Sequence, residues 1–352
     1  MLVTVAIAFG FLAASAAPAS AHSAAGVSAT NYLTRLERVT PEVPGVKMRV
    51  VESGSRFEVV NTTDQELVVI GYQEEPYLRI GPGGVFENRR SPATYVNASR
   101  RGTSTVPGSA DPEAAPVWKK ISDGDVARWH DHRIHWMGDR DPPAVRRAPD
   151  RRHVVIPEWT IAMRIGERDI EARGDLLWVP GPSAGPWLAL AVVLLAGVTA
   201  LALTRAWGRW LAVVTGALVI ADVVHVVGTG FAEAGSVGTK IASVAGSSLF
   251  SVIVWIAGAV AVWMLARRRP EGLYAAAFAG VFIALLGGVA DLGDLSHSQV
   301  PFAWGDTLAR VLVGVSLGAG LGVLGAAVVG LRRSNETGRT SATATAAVAK
   351  GD

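Results

Sequence analysis

The chain has 352 residues, half of them hydrophobic, with 39 glycines and a net charge of only +3. That much apolar content, unevenly spread, excludes a single ordinary soluble domain, and the scattered arginines give nucleic-acid binding no support. With no cysteine there is no disulfide, thiolate zinc site, blue-copper centre or cysteine nucleophile.

Residues 1–21 form an apolar, alanine-rich run ending Ala19-Ser20-Ala21, the small-x-small pattern of a signal-peptidase site, although no basic residue opens it. Cleavage there is expected to leave His22 at the new N-terminus. A terminal histidine offers its α-amine and its Nδ1 to one metal ion, closing a chelate ring that no internal histidine can make. The α-amine titrates near pH 8, so Cu(II) displaces its proton at modest cost.

Residues 22–184 are expected to form an extracytoplasmic β domain. Arg56–Asn61 and Gln65–Ile70 look like two arms of a hairpin around Thr62-Thr63-Asp64, and Val46–Val51, His153–Ile156, Thr160–Ile165 and Leu176–Val179 supply further short strands. Glycine and proline punctuate the intervals, which favours a sandwich or barrel. No phosphate-cradling loop follows the Gly81-Pro82-Gly83-Gly84 cluster. Asp139–Arg152 reads as a solvated loop, with His153 just after it.

Three of the seven histidines fall in the nine residues Trp129–Met137. Read as an extended strand, His130-x-His132 puts both imidazoles on one face, with His135 and Met137 following as accessory groups. Nitrogen pairs held this way bind transition metals, and a set including a terminal amine suits Cu(II). The competing reading is a half-buried cluster hydrogen-bonded to backbone or to Asp131.

From Pro186 the solvent changes. Trp187–Thr204, Leu211–Thr229, Ile241–Leu265, Leu273–Val289 and Leu308–Leu331 are each about long enough to span a bilayer. Arg205 and Arg209, Arg267–Arg269 and Arg332–Arg333 occupy alternate connections. Basic residues collect on the cytoplasmic side, so five spans in residues 185–333 place the β domain outside the cytoplasmic membrane. Trp187, Trp207 and Trp210 read as interfacial belt residues. Residues 334–352, rich in Thr, Ala and Ser, are expected to be a disordered cytoplasmic tail. Gly314, Gly318 and Gly322 make a close-packing helix face, within the bundle or between copies as a homo-oligomer.

Ionisable groups in spans are costly, so they are functional hypotheses by default. Asp222 and His225 share a face of the second span, and Asp291, Asp294 and His297 lie at the outer end of the fourth. If these helices are neighbours, the groups converge on a second metal or proton site. Simple interfacial caps are the alternative.

A leader ending Ala-Ser-Ala, a first mature residue His22 and a later Trp129-His130-Asp131-His132 together resemble the B subunit of particulate methane and ammonia monooxygenases. That resemblance implies a cupredoxin-like or immunoglobulin-like β-sandwich on which His22, His130 and His132 bind copper. It covers a handful of residues, and this chain has five predicted spans and no second β domain after them. The architecture also resembles copper-resistance proteins of the CopC and CopD kind, in which an exported β-sandwich beginning with His works with a membrane bundle.

The expected function is extracytoplasmic Cu(II) capture, with handling or delivery through the membrane domain and a copper chaperone or oxidase as partner. A copper-dependent oxidoreductase and a metal-free anchored interaction or signalling module remain open. Hydrolase and ATPase classes lack their motifs, since there is no Ser/His/Asp set, HExxH or nucleotide loop.

Overall fold

The computed structural model describes residues 27–99 and 104–348, with side chains through residue 333. The expected leader and His22 therefore lie outside the described residues. The chain divides into a β unit, Ala29–Gly181 with His297–Pro301, and a helical unit, Pro182–Ser296 and the chain from Phe302 onward.

Among the described residues the β unit has ten strands in two antiparallel sheets. The smaller sheet contains β2 (Val46–Val51), β3 (Arg56–Asn61) and β8 (Val126–Trp129), in that order. The larger runs β1 (Tyr32–Thr40), β10 (Arg168–Trp178), β9 (His153–Ile165), β4 (Leu67–Ile70), β5 (Pro76–Gly81), β6 (Gly84–Asn88) and β7 (Trp118–Ser122). Two short helices, α1 (Pro92–Val96) and α2 (Pro143–Arg147), lie in its loops, the second inside the expected solvated loop.

Period-two burial explains the strands. In β9, Trp159, Ile161, Met163 and Ile165 are buried, while the residues between them are not. They join one core with Phe57 and Val59 of β3, Leu67 and Val69 of β4, and Trp129 of β8. Phe57 packs edge-on against Trp129 and Trp159, with ring centroids 5.5 and 6.1 Å apart. Each such buried side chain contributes about 1.5–3 kcal/mol.

The expected hairpin of residues 56–70 does not form. β3 pairs with β2 and β8, and β4 pairs with β5 and β9, so the turn carries the chain from one sheet to the other. Asn61 fixes this crossing, donating from Nδ2 to the carbonyls of Gln65 and Ile80, both at 2.8 Å. Alternation toward the core is the same whether two strands pair side by side or belong to different sheets, so the local pattern could not separate them. His153–Ile156 and Thr160–Ile165 are likewise one 13-residue strand, bent at Glu158, whose φ is +51°.

The helical unit contains α3 (Gly185–Leu201), α4 (Trp207–Phe231), α5 (Val237–Ser247), α6 (Leu249–Ala266), α7 (Gly272–Ile283) and α8 (Asp306–Val348). A π-helical turn at Ala284–Val289 prolongs α7, and a 3-10 turn follows at Leu292–Leu295. Among the described residues, four helical segments are long and apolar enough to cross a membrane: Trp207–Phe231, Leu249–Ala266, Gly272–Val289 and Asp306–Arg333. They mark a multi-pass membrane protein. The apolar α3 is shorter, at 17 residues.

The expected span Ile241–Leu265 is divided at Ser248. There the Ser247 and Ser248 hydroxyls bond back to the carbonyls of Ser243 and Val244 and compete with the helix ladder. The glycine face of α8 is filled within the chain. A methyl at Gly314 would meet the Trp187 carbonyl, and at Gly318 and Gly322 the backbone of α3. Gly318 sits at a backbone approach no Cβ permits. Helix α8 also continues to Val348 through the stretch expected to be disordered. No proline breaks the ladder there, and Ala342, Ala344, Ala346 and Ala347 favour it.

Candidate functional site

The histidine-rich segment is organised by Asp131, not by a strand. β8 ends at Trp129, and His132–Ile134 forms a 3-10 turn capped by Asp131. The fully buried Asp131 carboxylate accepts from the Trp129 indole at 2.8 Å and from Arg133 Nε and Nη2 at 2.8 and 2.7 Å. Burial alone would raise its pKa, but the Arg133 bonds and charge, with the indole, hold it below the usual carboxylate range. Tyr72 completes the frame. Its hydroxyl accepts from the His132 amide at 3.0 Å, and its ring lies under the Arg133 guanidinium.

This turn separates the His-x-His pair that an extended strand would have aligned. His132 Nε2 lies 3.0 Å from the Ser99 carbonyl. His130 Nδ1 and His135 Nε2 lie 2.8 and 3.0 Å from a different acceptor, the Ser55 carbonyl. Met137 is exposed. A carbonyl only accepts, so each ring nitrogen facing one carries the proton, and in the neutral imidazole the other nitrogen keeps its lone pair. An N–H anchored to a backbone carbonyl is the support that orients a metal-ligating imidazole. His153 Nε2 has a similar bond to the Ala148 carbonyl, 2.7 Å away, so the bond alone does not identify a ligand. Two imidazoles on one carbonyl make a more specific arrangement.

The shared acceptor belongs to a strained turn. Glu52, Ser53 and Gly54 have φ of +55°, +52° and +87° in succession. Left-handed Glu and Ser each cost about 1 kcal/mol or more, so their neighbours must impose the shape. Thr34 packs against Gly54, and its hydroxyl donates to the Ile134 carbonyl, tying the turn, β1 and the histidine segment together. Arg56 Nε lies 3.4 Å from both Glu52 Oε2 and His130 Nε2. A groove of about 450 Å3, lined by Arg56, Asn97, Arg128, Trp129 and His130 among others, opens onto this ring. Ser55, Glu52 and Arg56 had no sequence signal, because nothing in residues 52–56 announces that a turn there meets residues 130–135.

The helical unit brings the second predicted group together in part. His225 Nε2 lies 3.2 Å from Asp291 Oδ2, joining α4 to the segment after the π turn. Asp222, one turn before His225, accepts from the Trp255 indole at 2.6 Å. Asp222 and His225 are almost wholly buried. The Asp294 carbonyl accepts from Arg310 Nε at 3.0 Å, and Arg310 also faces Asp306 at 3.5 Å. Asp294 follows the span, and burial, reinforced by the Asp291 charge, pushes its carboxyl up to about 7 against the pull of His225 and Arg310. His297 is not in this group, since its segment belongs to the β unit, where Gln299 pairs with Thr30. Ser316 and Arg310 were polar exceptions in an apolar run and could have been flagged, whereas Trp255 could not.

Among the described residues, no group of three or more His, Cys, Asp or Glu side chains is placed to hold a metal ion. His130 and His135 bring two imidazoles to the Ser55 carbonyl, and His22 lies outside the described residues. Comparison of the chain with protein-family models, curated proteins and solved structures gives no match, so its function has to be read from these sites.

Proposed function

We propose that this is a copper-binding membrane protein that captures Cu(II) outside the cytoplasmic membrane and hands it on through, or beside, its helical unit. In this reading the two sheets form a sandwich outside the membrane, and α3 joins the four longer helical segments as a fifth span. The observation that supports it best is the pair of imidazoles, His130 and His135, anchored through their N–H groups to the one Ser55 carbonyl. In His130 the second ring nitrogen faces Arg56 Nε at 3.4 Å, so copper would displace that donor, and two more nitrogens come from the amine and ring of His22 once the leader is removed. Cu(II) favours such nitrogen-rich sets. His132, turned to the Ser99 carbonyl, stands outside this set.

A metal-free tie between the β2–β3 turn and the histidine segment is the second reading, favoured by the same bonds to backbone. Metal analysis of full-length protein, purified in detergent without a histidine tag, separates the two. Copper capture predicts about one copper per chain, lost in H130A and H135A, retained in H132A, and weakened when a residue is added ahead of His22. No bound copper, or wild-type occupancy in H130A and H135A, overturns it.

A further inference from the structure

We propose that the helical unit holds a hard monovalent cation of the sodium class where Asp222, Ser316 and Gly287 meet. The proposal does not depend on copper capture. Three helical segments converge on this point. α4 brings Asp222, whose Oδ2 is held by the Trp255 indole at 2.6 Å. The π turn brings Gly287, and α8 brings Ser316, ten residues or about 15 Å into the helix. A methyl built on Gly287 would lie 2.8 Å from Asp222 Oδ1 and 3.2 Å from Ser316 Oγ. Both oxygens therefore close on the same side of the Gly287 backbone, where any larger residue would intrude on them.

Ser316 is the independent sign of a ligand. It is 0% exposed, and its hydroxyl has no hydrogen-bond partner. A serine in a helix can satisfy its hydroxyl on the carbonyl one turn back, as Thr229 does on His225 at 3.0 Å. Ser316 does not. Leaving a buried hydroxyl unsatisfied is costly, and an ion on its lone pair relieves the oxygen's share of that cost.

The donor chemistry indicates the ion. The two atoms gathered beside Gly287 are a carboxylate oxygen and a hydroxyl oxygen, which suit hard cations rather than copper. One carboxylate balances one positive charge. His225, the nearest nitrogen ligand along α4, is directed to Asp291. The backbone is also suited to the task. The π turn is closed by a bond from the Ala290 amide to the Leu285 carbonyl at 2.9 Å, five residues back. Such bulges concentrate at functional sites, and interrupted membrane helices are where transporters coordinate sodium.

The test is thermal unfolding of the full-length protein in detergent, at fixed pH and ionic strength, in sodium, lithium, potassium or choline chloride. Sodium should raise the melting temperature saturably over choline. S316A should need about tenfold more sodium for the same rise, and D222N and G287A should lose the response. If D222N or G287A does not fold, the S316A titration decides alone. The ionisable groups around the site are Asp222, His225, Asp291, Asp294, Asp306 and Arg310, so a parallel series varies pH at constant sodium. Equal melting in sodium and choline overturns the proposal. So does a wild-type response in S316A, or a shift that follows pH and ignores sodium.

Discussion

The two units treat most of their buried charge differently. In the β unit two of the most deeply buried carboxylates are answered by arginine, Asp131 by Arg133 and Glu58 by both Arg49 and Arg128, while Glu75 accepts from the Ser91 hydroxyl and the Gln73 amide. In the helical unit Asp222 is met by a neutral indole, and Asp291 by an imidazole. Arginine is permanently charged, so the first arrangement is a fixed part of the architecture. Indole, imidazole and hydroxyl leave charge to be completed by something exchangeable. The comparison teaches where to look for movement of ions: in the helices, with the β unit acting as a rigid frame for its histidines.

The largest effect should follow from breaking the frame. In D131A, Arg133, four-fifths buried, loses its carboxylate, and the Trp129 indole and the 3-10 turn lose their acceptor. Removing one partner of a buried pair costs about 3–5 kcal/mol. Thermal unfolding of the full chain should show it, and copper binding should fall with it because Asp131 caps the turn that lies between His130 and His135. A loss below about 1 kcal/mol would mean that the β unit does not depend on this pair, and the contrast would fail.

The second prediction concerns pH, where the two units should show opposite signs. Asp131 titrates below its unfolded value, so its contribution is complete above about pH 4 and is lost as pH falls through its folded pKa. Asp294 titrates near 7 in the folded chain, so the fold binds an extra proton between about pH 4 and 7 and its stability declines as pH rises through that window. D294N should flatten the melting profile between pH 4 and 7 and leave the acid limb unchanged. An unchanged slope in D294N would remove Asp294 from the account.

How far the sequence could lead depended on the range of the interaction. The apolar runs, the short strands and the Asp/His content of two spans were legible because each is a local pattern. The meeting of His225 with Asp291 was visible as a conditional, needing only that two helices be neighbours. The sheet change after Asn61 was not legible, since residues 56–70 bury alternate side chains equally well in either topology. The His-x-His spacing misled because Asp131, a good cap, turned the chain into a 3-10 helix separated from the strand by only two residues. Ser55 and Ser316 were invisible as partners, because contacts between distant segments leave no periodic mark.

The smallest predicted effect tests whether doubled arginines in the β unit are redundant. Glu58 is almost fully buried; burial would raise its pKa, but bonds to Arg49 and Arg128 bring it below the ordinary value. Arg49 is largely exposed and Arg128 much less so, so water already weakens the Arg49 contribution. R49A should therefore cost no more than about 1 kcal/mol in a melt of the full chain. R128A should cost more, and the double variant more than the two together, because only then is Glu58 left buried with neither arginine. Strict additivity would show that each arginine acts alone, and that the β unit's charges are no more firmly compensated than those between the helices.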